Sequence, residues 1–297
     1  MTSTSDLTST PGGVGIDSPS RPAEPPAPLA RTSVLGPIRR ASFGDVLRSE
    51  WTKFRTVRST FFTLLTAVGL GVGLGALISL AISGHYSQMD PGEQLRFDPT
   101  LASFRGLDFA QLALGVLGIL VVTSEYSTGM IRTSLAAVPR RGRLLAAKAI
   151  IFTGVALVIG EVVGFASFLI GQAILSGNAP TASLGQPHVL RAVIGAGLYL
   201  GAIGLLGTAL GFLMRNTAAA ISTLVAVLFV LPGVAQALPS SWRNPVEKFW
   251  PTQAGSQVYI VHRDLHTLAA WQGFGVMCAF VAIVLAVAFL LLQRRDA

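Results

Sequence analysis

The sequence predicts an all-α, polytopic integral membrane protein with six transmembrane helices, and three observations predict it. Hydrophobic residues make up 51% of the 297 and charged residues only 12%, roughly half the charged share of a soluble domain. The charges fall in clumps between long uncharged stretches, and the mean hydropathy is +0.61. The Lys and Arg residues also divide unevenly between alternate loops. A soluble fold of this size coats its surface with charge, and this chain has too little to do so. Disordered chain, coiled coil and ordinary cytosolic enzyme are therefore excluded for its bulk.

Residues 1–41 differ from the rest. Met1 to Pro28 is dominated by Ser, Thr, Pro and Gly and has little to bury, so 1–41 is expected to be a disordered cytoplasmic tail. It lacks the apolar core of a signal peptide. Residues 42–297 form the six-span domain. Ser42 and Asp45 have the spacing of a helix-start capping box. Phe43, Val46, Leu47, Trp51 and Phe54 then share one helical face, with Arg48, Lys53, Arg55 and Arg58 around it. Such a basic amphipathic helix is expected to lie in the membrane interface, the alternative being a helix packed on a soluble partner.

The spans follow as uncharged stretches long enough to cross about 30 Å of hydrocarbon. They are Thr60 to Ser83, Leu107 to Ser124, Ala149 to Leu175, Ala192 to Leu213, Ala218 to Leu238 and Leu268 to Leu292. The second is the weakest: sixteen uncharged residues separate Asp108 from Glu125, and each carboxylate is expected at a water interface. Pro232 is expected to kink the fifth. Gly71/Gly75, Gly160/Gly164, Gly197/Gly201 and Gly207/Gly211 are small-xxx-small pairs that suit a tightly packed bundle.

With the N-terminus inside, cytoplasmic segments hold sixteen of the 22 Lys and Arg residues; Arg96, Arg105, Arg191, Arg243, Lys248 and Arg263 fall outside. That bias puts both termini in the cytoplasm. It also accounts for the net charge of +8 without nucleic acid. Cys278 has no partner for a disulfide and reads as a small apolar filler.

Motifs for chemistry are few. No phosphate-loop pattern occurs, and Gly69 to Gly75 lies within a span with no lysine nearby. Metalloprotease and serine-hydrolase patterns are missing, and His262-Arg263-Asp264 resembles the kinase catalytic triplet by chance. His262 and His266, four apart with Asp264 between, read as solvated residues rather than as a metal site. Glu161 is a lone carboxylate in mid-span: it either lines a substrate route or switch contact, or is protonated and hydrogen-bonded to neighbours. Between Glu125 and Lys148, residues Thr128 to Val138 read as a short helix with Ile131, Leu135 and Val138 on one side. Pro139 stops it, and Arg140, Arg141 and Arg143 follow. It either docks on a cytoplasmic partner or rests on anionic lipid.

The segment E-Y-S-T-G-M-I-R-T-S-L-A-A-V-P-R-R-G-R-L-L-A-A-K (Glu125 to Lys148) resembles the loop after the second span of type-2 ATP-binding-cassette (ABC) permeases. L-R-S-E-W-T-K-F-R-T-V-R-S (Leu47 to Ser59) resembles the approach to their first span. With the six-span plan the resemblance covers 42–297 and is nearest to actinobacterial exporter permeases. Pro239 to His266, where relatives carry re-entrant helices, matches only in length and in Trp242, Phe249 and Trp250.

The resemblance implies the transmembrane permease subunit of an ATP-driven exporter in the plasma membrane, with a drug, an antibiotic or a lipid as cargo. It implies no ATPase residues and no cofactor in this chain: ATP–Mg is bound by a separate ABC ATPase subunit. A second permease chain, a copy or a paralogue, completes the pump. By the same resemblance Glu125, Tyr126, Gly129 and Arg132 belong to the coupling helix that sits on the ATPase, with Arg140 and Arg141 at its basic exit. Glu161 is the candidate for the translocation path. The competing readings are a non-transport membrane partner of an ATPase and an ion-coupled secondary transporter.

Overall fold

A computed structural model describes residues 42–56, 58–130, 141–264 and 266–295. Among them there is no strand, and six helices are long and apolar enough to span a membrane. The tail 1–41 and the segment 131–140, with Arg132 and Arg140, lie outside the described residues.

An amphipathic helix, Phe43–Thr56, comes first. Its capping box forms: the Ser42 backbone N–H donates to Asp45 Oδ2 at 2.9 Å, and the Asp45 N–H donates to Ser42 Oγ at 3.2 Å. The buried face differs from the expected apolar stripe. Val46 and Glu50 are buried, whereas Trp51 is 45% exposed. Val46, with Phe43 and Leu47, packs on Leu144 and Ala147. Phe54 packs on Leu117, Phe152 and Ala156, so the helix leans on protein along this face and, of the five expected residues, leaves Trp51 outside.

The six span helices are Arg58–His85, Leu107–Ser127, Arg141–Leu175, Val189–Met214, Thr217–Val225 continuing to Ala235, and Ala270–Arg295. The third begins eight residues before the expected Ala149 and so brings Lys148 into the helix. Leu144, Leu145 and Ala147 are all buried, so packing rather than hydropathy decides where it starts. The fourth span is the axis: 67% of its apolar stretch is buried, against 22% for the first and the sixth.

Small residues bring the helices into backbone contact around that axis. A side chain on Gly207 would strike the Gly115 carbonyl, and one on Gly118 the Gly204 carbonyl. Close approach of this kind replaces the hydrophobic drive that lipid cannot supply.

In the fifth span a π-helical stretch, Ala226–Val230, precedes Pro232. Proline has no N–H to close a helical hydrogen bond, so the backbone widens there. The Trp250 indole fills part of the gap by donating to the Val227 carbonyl at 2.9 Å. Trp250 belongs to a loop folded as two short helices, Ser240–Phe249 and Pro251–Ser256. The residues that follow pack on the bundle, with Val258 fully buried. Cys278 is exposed on the outer face of the sixth span. It is not a core filler, because Met277, Val281 and Ala288 occupy the buried stripe.

Candidate functional site

One end of the bundle gathers the amphipathic helix, the end of the second span and the start of the third. Four charged side chains meet there. Lys148 Nζ donates to Glu50 Oε2 at 2.7 Å and to Glu125 Oε1 at 3.0 Å. Lys53 Nζ donates to Glu50 Oε1 at 2.8 Å and to Glu125 Oε1 at 3.2 Å. Glu50 and Lys148 are each 4% exposed and Glu125 7%. Two carboxylates and two ammonium groups thus alternate in a closed, formally neutral ring. Burial would raise the Glu50 carboxyl, but Lys148 and then Lys53 outweigh it and hold it below its ordinary value. Burial would lower the Lys53 ammonium, but Glu50 and then Glu125 lift it above its ordinary value.

Glu125 was expected at a water interface. It is buried instead, because Lys148 and Lys53 compensate its charge in place of water. Asp108, at the other end of the span, is exposed. The second span ends where Gly129 adopts φ +72°, the left-handed conformation that glycine takes at helix ends. The Gly129 N–H closes onto the Tyr126 carbonyl and Met130 is helical, so a helix expected from Thr128 starts no earlier than Met130; the rest of it, to Val138, lies outside the described residues. Tyr126 packs with Val122, Leu145 and Phe212, and the Arg215 guanidinium lies 5.4 Å from its ring centre. Arg215 itself sits in the turn between the fourth and fifth spans. Arg141 opens the third helix.

The structure thus unites Glu125, Tyr126, Gly129 and the start of the third span, the two flanks of the loop. It sets Glu161 far along the third helix. Glu161 is half-buried, its carboxyl lies over Gly197 of the fourth span, and no described residue bonds to it. The hydrogen-bonded alternative therefore finds no partner among the described residues.

Compared with known proteins, the chain matches no family model and no curated protein. The site must be read from its own chemistry.

Sequence reasoning missed Glu50, Lys53 and Lys148. Their signal was present: Glu50 is the one acid among the bases from Arg48 to Arg58, and Glu125 and Lys148 bracket the loop. At the opposite end His262 Nδ1 lies 3.1 Å from Asp98 Oδ2. Among the described residues no three His, Cys, Asp or Glu side chains are grouped to hold a metal.

Proposed function

We propose that the chain is the membrane-spanning permease subunit of an ATP-driven exporter, which forms the translocation path and docks a separate ATPase through the loop after the second span. The supporting observation is the ring of buried Glu50, Glu125 and Lys148 closed by half-buried Lys53. It fastens both flanks of that loop to the amphipathic helix. A displacement of the loop then reaches the second and third spans together instead of being lost in a hinge. Glu125 acts through this ring, whereas Arg132, Arg140 and Arg141 are the residues offered to the partner.

ATP–Mg is held by the partner subunits, and this chain contributes no catalytic residue. ATP closes the paired ATPases, the two loops are drawn together, and two permease bundles in the plasma membrane rock outward. ATP drives this because its affinity differs between the two states. Cargo passes between the two chains, and the apolar spans suit an amphiphile such as a drug, an antibiotic or a lipid.

The test is purification of the tagged chain in mild detergent from its native host, followed by mass spectrometry of bound proteins. A stoichiometric ATPase is expected. It should be lost when Arg132, Arg140 and Arg141 are replaced by Ala, with membrane insertion intact. A chain that purifies alone and transports under an ion gradient contradicts the proposal and turns attention to Glu161. A bound ATPase with no transport points to a non-transport partner instead.

A further inference from the structure

A cavity of about 510 Å³ opens beside the charged ring, between the amphipathic helix and the second and third spans. Phe54, Leu117, Val121 and Phe152 line its apolar side, and the ring lines the other. The ring is not fully satisfied. Both Glu50 oxygens accept from ammonium groups, as does Glu125 Oε1. Glu125 Oε2 is buried and accepts from nothing. A buried acceptor left without a donor is unfavourable, and more so when it carries charge. Glu125 itself lines the cavity, and the terminal torsion of a glutamate is soft, so Oε2 can turn to meet a donor held there.

What completes such a site is a donor, and a cationic one by preference. An anionic head would face the free carboxylate oxygen, and a neutral ether or ester offers no N–H. The apolar wall beside it accepts hydrocarbon, and the volume falls within the range of small-molecule pockets. We propose that this cavity binds the primary-ammonium head of an amphiphile, with its N–H donating to Glu125 Oε2 and its first methylenes lying on Phe54, Leu117, Val121 and Phe152. The inference stands apart from the transport reading, because binding is read on the chain alone.

The experiment is native mass spectrometry of the purified full chain. It is equilibrated with equimolar phosphatidylethanolamine and phosphatidylcholine carrying identical acyl chains. The two heads bear the same charge, but only the first has N–H groups. Retention of phosphatidylethanolamine is expected to exceed that of phosphatidylcholine by about tenfold, the effect of one charge-assisted hydrogen bond. Val121→Trp fills the cavity without touching the ring and should abolish the retained lipid while helical circular dichroism persists. Glu125→Gln should erase the preference between the two heads. Equal retention of both lipids overturns the assignment and leaves Oε2 to an ordered water. So does undiminished retention in Val121→Trp. Added octadecylamine separates the sources. Displacement of the lipid assigns the site to any primary-ammonium amphiphile, cargo included; retention of the phospholipid alone assigns it to a membrane lipid.

Discussion

The two ends of the bundle are held by different chemistry. At the amphipathic-helix end, four charges neutralise one another, three of them buried and the fourth, Lys53, half-buried at the rim. At the opposite end the ties are mostly neutral. Gln172 Nε2 donates to the Pro99 carbonyl at 2.8 Å and to Ser103 Oγ at 2.9 Å, and Gln172 Oε1 accepts from the Ala182 N–H. Tyr199 donates to Gln111 at 2.8 Å, and Arg191 reaches the Ile260 carbonyl at 2.8 Å, stitching the loop before the sixth span to the fourth. Neutral hydrogen bonds act only at short range and in good geometry. Charges act over longer distances, and removing one leaves its partners exposed to a large desolvation penalty. Under the function proposed above, one end holds position and the other transmits displacement.

The largest effect should come from removing the charge at the centre of the ring. Lys148→Met leaves two buried carboxylates to share Lys53 and should cost about 3–5 kcal/mol in thermal or denaturant unfolding of the detergent-solubilised chain. Adding Glu50→Gln should recover part of the loss, since the two residues share one network. Additive losses would show that the ring is not a unit.

Acid should reproduce part of this effect. The Glu50 carboxyl is held below its ordinary value of 4.5, so the stability it supplies is complete above that pH and is lost as the pH falls through the lower, folded value. Lys53 is raised above its ordinary 10.5, so its share is complete below that pH and is lost as the pH rises through the folded value. A pH titration of the melting midpoint should therefore fall on both flanks, with the acid flank flattened in a Glu50→Gln variant.

Breaking the neutral end should be milder. Gln172→Ala removes three hydrogen bonds and should cost about 1–3 kcal/mol with no added pH dependence. Smaller still, Gly129→Ala places a side chain at a positive φ and should cost about 1 kcal/mol in the melting midpoint.

Most of the fold was legible because hydropathy reports burial in lipid directly, and the six uncharged stretches leave little else to choose. What escaped was governed by tertiary pairing. Glu50 looks like a solvated residue until Lys148 is brought to it across the sequence. The early start of the third helix depends on Leu144 and Ala147 meeting Val46, a contact that no local pattern encodes. The π-helical stretch before Pro232 was visible only as an expected kink, since proline signals a missing bond but not how the backbone absorbs it. Within the site, Gly129 and Tyr126 were found through a resemblance, while the ring that joins their helix to its neighbours was not.

The central claim is that the amphipathic helix and both flanks of the loop after the second span form one mechanical unit through the charged ring. Hydrogen exchange of the full chain, wild type against Lys148→Met, tests it most directly. Protection should fall together in 43–56 and 120–130, while the segment around Gln172 and Arg191 stays as protected as in the wild type. Loss confined to the residues next to Lys148, or spread evenly over both ends, would contradict the account.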